Sequence, residues 1–210
     1  MENNLKDKIN VNSYLDVPKI HKVGFFKQRI PEDLYNNIAD LYRMYRHHVS
    51  LDNEPTSEAR ESCTFSKLLQ INKTPYLKQT LADGLNCYLS EIMKFNFEDP
   101  KFYGFRVYLN KSKIRMHRDR LDLNIGAILQ IDQWGQPWPL DIEDHNGNKH
   151  EIVLSAGEMV VYESSRISHG RLKEFNGVHY TNLLFHASFP NMIISKSALQ
   201  TSLLDKKYEF

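Results

Sequence analysis

Cysteine is scarce, long apolar runs are missing, and neither sign of charge dominates. The 210 residues include only Cys63 and Cys87, without the spacing of a thiolate metal cluster. Such a pair is expected as free thiols in a reducing compartment rather than as a disulfide staple. No stretch approaches the ~18 consecutive apolar residues that a spanning helix requires, so no membrane segment is expected. The opening Met1-Glu2-Asn3-Asn4-Leu5-Lys6-Asp7 is polar and no apolar stretch follows it, so a secretory signal is not expected and a cytoplasmic location is. The 27 Lys plus Arg nearly balance 26 Asp plus Glu. This gives no overall basic footprint for nucleic acid or an anionic membrane. Composition carries no signal for oligomeric state.

What is present has the makings of one well-buried domain: 41% hydrophobic and 25% charged residues, ordinary values for a globular protein. The hydrophobic period changes near residue 98. Residues 1–97 are expected to form a helical support with a loop. One helix opens at Pro31, with Glu32 and Asp33 in the first turn where the helix dipole favours acids. Leu34, Ile38, Leu41 and Tyr45 fall on one of its faces. A second begins at Thr74-Pro75 and carries the stripe Leu77, Leu81, Leu85, Tyr88, Leu89 and Ile92. Between them the polar segment Ser50–Ser66 has no period and is expected to be a lid loop.

From 98 to 190 the period is that of strands. Phe105, Val107 and Leu109 alternate with Arg106 and Tyr108, and Leu123, Ile125, Ala127, Leu129 and Ile131 alternate with smaller or polar residues. Asn146-Gly147 is a strong hairpin signal between apolar segments at 138–142 and 150–154. Tyr180–Phe189 reads as a last strand, and 191–210 as a tail that is either a short helix or loose. Several short strands separated by turn signals point to an all-β sandwich or barrel supported by two α-helices.

His117-Arg118-Asp119 carries the most chemical information. Residues two apart on a strand share a face, so an imidazole and a carboxylate converge while Arg118 turns away. A third ligand must come from elsewhere, and His169, in Ser168-His169-Gly170-Arg171, is a candidate. Two histidines and one carboxylate leave open positions on an octahedral metal, as non-haem Fe(II) oxygenases require.

The segment from Tyr108 to Pro190 resembles the core of the 2-oxoglutarate/Fe(II) oxygenases, especially the prolyl 4-hydroxylase-like branch. Tyr108 lies nine residues before His117 (108 to 117). Gly157-Glu158-Met159-Val160-Val161-Tyr162 resembles the turn and strand before the distal histidine, His169, and Gly177 and Tyr180 lead into the final strand. The resemblance implies a double-stranded β-helix, or jelly roll, with His117, Asp119 and His169 holding Fe(II). It also implies 2-oxoglutarate and O₂ as co-substrates, with Tyr108 donating to the far carboxylate of 2-oxoglutarate. The sequence departs from the pattern ten residues after the distal histidine (169 to 179), where the branch has Lys or Arg and this chain has His179. A neutral imidazole lacks the guanidinium fork that matches a carboxylate. Arg171, on the same strand face as His169, is the alternative anchor beside His179, and Arg120 is a third candidate.

The expected reaction is hydroxylation of an unactivated C–H bond, on a peptidyl prolyl or other amino-acid side chain. A free amino acid or small metabolite is the alternative substrate. A cupin-like metal-binding module without 2-oxoglutarate chemistry, or a binding module that kept the fold and lost catalysis, would share the same jelly roll. For the remaining residues structural roles are expected. His47-His48 end a helix, His145 and His150 are solvated beside a turn, and His186 packs on the last strand. Trp134 and Trp138 pack in the core or at its rim. Lys111, Lys113, Arg115, Arg118 and Arg120 form a mostly solvated strand face, with Arg115 sharing the side of His117.

Overall fold

The computed structural model describes residues 8–46, 66–69 and 75–208. The expected lid, His47-His48, Cys63 and the Thr74 cap lie outside these residues, except that Ser66 opens a strand. Twelve strands and three α-helices follow in chain order among the described residues. They are β1 (Ile9–Val11), β2 (Phe25–Arg29), α1 (Glu32–Tyr45), β3 (Ser66–Leu69), α2 (Pro75–Met93), β4 (Glu98–Leu109) and β5 (Ile114–His117). Then come β6 (Ile125–Gly135), β7 (Leu140–Glu143), β8 (Lys149–Ile152), β9 (Glu158–Tyr162), β10 (His169–Arg171), β11 (Gly177–Ser188), β12 (Met192–Ile194) and α3 (Lys196–Tyr208). The tail is therefore helical.

Two antiparallel sheets form the jelly roll: six strands in the order β2-β9-β6-β11-β4-β3, and four in the order β5-β10-β7-β8. The N-terminal third supplies more than helices. Strands β2 and β3 close the two edges of the larger sheet, and β1 pairs in parallel with β12. These are short, and β2 (Phe-Phe-Lys-Gln-Arg) lacks the alternation that marks a half-buried strand.

Parity organises the larger sheet. Phe105, Ala127, Leu129, Met159, Val161, Leu183 and Phe185 share one core with Ile38, Leu41 and Tyr42 of α1 and with Leu85 and Leu89 of α2. That core is built from the helical stripes expected from the sequence. On the opposite face, Ile128, Val160 and Tyr162 meet Leu140 and Ile142 of the smaller sheet. Tyr108 and Tyr180 meet Trp138 and Phe175. The sheets are thus joined face to face, and burial on both faces explains the apolar character of β6, β9 and β11.

The β7–β8 hairpin turns over residues 144–148, with Glu143 opposite Lys149. Asp144 secures the turn by accepting from the Asn146 and Asn148 amides at 2.8 and 2.9 Å. Gly147 has φ +80°, a conformation unfavourable for a side chain. His145 is not solvated as expected; its Nε2 lies 2.7 Å from the fully buried Glu163 carboxylate, which also accepts the Ile20 amide at 2.8 Å. Trp138 is buried, whereas Trp134 is 69% exposed. Cys87 is an exposed free thiol. Among the described residues, no helix is long and apolar enough to cross a membrane.

Candidate metal centre

His117 ends β5, and its register partner across the ladder is His169, the first residue of β10. The two rings are 4.4 Å apart. Asp119 lies just past the strand, fixed by its amide donating to the Ser164 carbonyl at 2.8 Å. Side-chain donor atoms of His117, Asp119 and His169 all come within 4.8 Å of one another.

The backbone orients both imidazoles. Nδ1 of His117 is 2.9 Å from the Arg115 carbonyl, and Nδ1 of His169 is 3.3 Å from the Ile167 carbonyl. A carbonyl only accepts, so each Nδ1 carries the proton and each Nε2 presents a lone pair. Those Nε2 atoms lie 3.8 Å from Oδ1 and Oδ2 of Asp119 respectively, too far for hydrogen bonds. Donors bound at ~2.1 Å to one ion sit roughly 3–4 Å apart. Two neutral imidazoles and a carboxylate, converging without bonding one another, fit a divalent first-row metal.

Charge supports the same arrangement. Burial alone would raise the Asp119 carboxyl, but the hydrogen bond and charge of His186, with His169 and His117, outweigh it and hold the group well below the usual carboxylate range. Burial, reinforced by the nearby His117, lowers His169 to about 3, which keeps the ring neutral and able to ligate. Burial and the Asp119 charge push Tyr162, whose hydroxyl is 3.4 Å from His169 Nε2, well above the usual tyrosine range.

A cavity of about 150 Å³ opens on this centre, lined in part by Tyr108, Arg106, Tyr162 and Arg171. Arg171 is 1% exposed. Its guanidinium lies over the Trp138 and Tyr180 rings at 4.6 and 4.8 Å. It donates to the Trp138 carbonyl and, at 3.3 Å, to Asn182 Oδ1. Tyr108 is buried against the Trp138 edge. Of the residues singled out in the sequence, His117, Asp119, His169, Tyr108 and Arg171 are therefore brought to one cavity.

His179 is not. It sits one residue from Tyr180 on β11, hence on the opposite face, and its Nε2 is 3.1 Å from Asp132 Oδ2. Arg120 is tied to Asp122 at 2.9 Å. Arg115 does not line the cavity, although Ile114 does. The register runs from His169↔His117 to Arg171↔Ile114, so β5 holds one residue more than β10. This bulge resets the alternation that would have placed Arg115 beside His117. Gly170 permits the approach, because a Cβ there would lie 2.7 Å from the Arg115 carbonyl oxygen.

Two cavity residues escaped the sequence reading. His186, expected as a packing residue, donates from Nε2 to Asp119 Oδ2 at 3.0 Å. Arg106 lines the cavity from β4; its parity with Tyr108 was the available signal.

Neither a protein-family profile nor a curated protein matches the sequence. Solved structures do match. A Pseudomonas putida prolyl-4-hydroxylase superposes with a TM-score of 0.59 at 19% identity, covering 80% of this chain and 93% of that one. An oxidoreductase of the 2OG-Fe(II) oxygenase family from Burkholderia pseudomallei gives 0.59 at 11% identity, over 87% and 95%. The fold is that of the 2-oxoglutarate/Fe(II) oxygenases. HygX from Streptomyces hygroscopicus, with nickel, 2-oxoglutarate and hygromycin B bound, shares this oxygenase fold at a TM-score of 0.55 and 10% identity, over 80% and 84%.

Proposed function

We propose that this chain is an Fe(II)- and 2-oxoglutarate-dependent oxygenase that hydroxylates an unactivated C–H bond of an amino-acid side chain. One observation carries the reading: the metal-competent His117, Asp119 and His169 share a small cavity with a buried guanidinium, Arg171. A metal centre alone would suit many hydrolytic or structural sites. The added cation matches an organic acid bound beside the metal. The oxygenase fold, which HygX presents with 2-oxoglutarate bound, favours the same acid.

In this reading His117, Asp119 and His169 hold the iron, and Arg171 with Tyr108 takes the far carboxylate of 2-oxoglutarate. Iron with 2-oxoglutarate and O₂ would supply the oxidation, in which 2-oxoglutarate becomes succinate and CO₂ while C–H becomes C–OH. The chain's own task is placement. Carbonyls fix both imidazole tautomers, His186 holds one oxygen of Asp119, and Trp138 and Tyr180 keep Arg171 at a set position. Burial of the cavity restricts water around the reacting groups. The substrate is a prolyl or other amino-acid side chain, in a peptide or as a free amino acid.

The test is anaerobic addition of Fe(II) and then 2-oxoglutarate. A weak visible charge-transfer band is expected, absent from Asp119→Ala. Iron binding without the band would instead favour a cupin-like module, and failure to bind iron would overturn the reading.

A further inference from the structure

Two guanidinium groups line the cavity, Arg171 and Arg106, and Asp119 is its only carboxylate among the described residues. Asp119 is already engaged by His186 and faces the two ligand histidines. Neither arginine forms an ion pair with a carboxylate among the described residues. Arg171 bonds a carbonyl and an amide oxygen, and among the described residues Arg106 reaches the Ser66 hydroxyl, at 3.4 Å. A cation withdrawn from water without a counter-charge is costly, so each of these groups calls for an anion.

The co-substrate of the proposed reaction meets one of them. Were one carboxylate of 2-oxoglutarate to bind the metal, the other would remain for a guanidinium. Arg171 is the deeper, 1% exposed and held against two rings. Arg106 is half-buried and leans toward β3, at the edge of the larger sheet. One cation on the more open side is left over. The backbone of an internal peptide residue carries no carboxylate to meet it, whereas a free carboxylic acid does.

We infer that Arg106 is an anion subsite for the substrate, and that the substrate is a small carboxylic acid, such as a free amino acid, rather than an internal residue of a peptide. The inference rests on the proposed 2-oxoglutarate chemistry. It assigns the second cation to substrate selection, since an acid would neutralise Arg106 where the corresponding amide could not.

Binding to the full chain loaded with Mn(II) and 2-oxoglutarate tests this without turnover. The probes are the free L-amino acids and the same compounds as C-terminal amides, followed by saturation-transfer NMR and calorimetry. At least one acid should bind at least ten-fold more tightly than its amide. Arg106→Gln should erase that preference, and Arg106→Lys should keep part of it. Calorimetry with 2-oxoglutarate alone separates the two arginines: Arg171→Gln should weaken it at least ten-fold, and Arg106→Gln less than two-fold. Equal binding of acids and amides, or binding of no acid, overturns the subsite. So does an equal loss of 2-oxoglutarate affinity in the two variants, which would give both arginines to the co-substrate. If the wild-type Mn(II) protein does not bind 2-oxoglutarate, the oxygenase reading itself fails, and this inference with it.

Discussion

The two faces of β11 divide the protein's work. Thr181, Leu183, Phe185 and Ala187 point toward the helices, where Leu183, Phe185 and Ala187 join the main core and Thr181 donates to the Tyr42 hydroxyl at 3.1 Å. Tyr180, Asn182, Leu184 and His186 alternate with them and face the smaller sheet. His186 holds Asp119, Asn182 accepts from Arg171, and Tyr180 stacks on it. One face stabilises by removing apolar surface from water. The other holds buried polar groups through Asp119, Arg171 and Gln130, and so sets out charges around the cavity. Because alternation separates the two, changes on one face should leave the other's property nearly intact.

The strongest test of that separation is loss of a candidate ligand. His117→Ala or Asp119→Ala should weaken Mn(II) binding by 100-fold or more, measured by calorimetry, with an unchanged near-ultraviolet circular dichroism spectrum. A variant that binds metal as the wild type does would remove that residue from the centre. Phe185→Ala probes the other face. It should cost about 3–5 kcal/mol in chemical denaturation, as expected for deleting a buried ring, while Mn(II) affinity of the folded protein changes little. An equal loss of both properties would show that the faces are coupled.

A smaller effect is expected at His186. Its replacement by Ala should lower Mn(II) affinity by about 10–100-fold, the usual scale for a group that orients a ligand from behind. His186→Gln, which keeps a donor on a similar reach, should restore part of it. No recovery with Gln and a matching fall in stability would make His186 a packing residue. The smallest effect belongs to Asp144, away from both faces. Hydrogen bonds from Asn148 and Asn146 hold its carboxyl below the usual value of 3.8. A carboxylate with a lowered folded pKa adds stability at pH above the unfolded value, and that stability is lost as pH falls below it. Asp144→Asn should therefore flatten the acid side of a melting-temperature profile below about pH 4 and leave neutral metal binding unchanged. An unaltered acid limb would refute this role.

Much of this was legible in the sequence because it depends on near neighbours. Helical stripes in α1 and α2, strand alternation in β4, β6 and β11, and the Asn146-Gly147 turn reflect local periods of 3.6 and 2. His117 and Asp119 stood out by their spacing, and Arg171 by its parity with His169. The short edge strands β2 and β3 were not legible, since their pairing partners, β9 and β4, supply what their own patterns lack. His145 beside Glu163 is likewise a contact across the fold that a turn signal could not predict.

By itself, then, the sequence determined which residues could share a strand face and which donors were available to a metal. Tertiary structure alone decided which faces met. It turned His179 to Asp132, used a bulge between β5 and β10 to take Arg115 out of the cavity, and brought Arg106 and His186 into it. The physical reason is register. Alternation is fixed along each strand, but the face that closes over the candidate metal centre depends on pairing between distant segments, and one extra residue in a ladder inverts it.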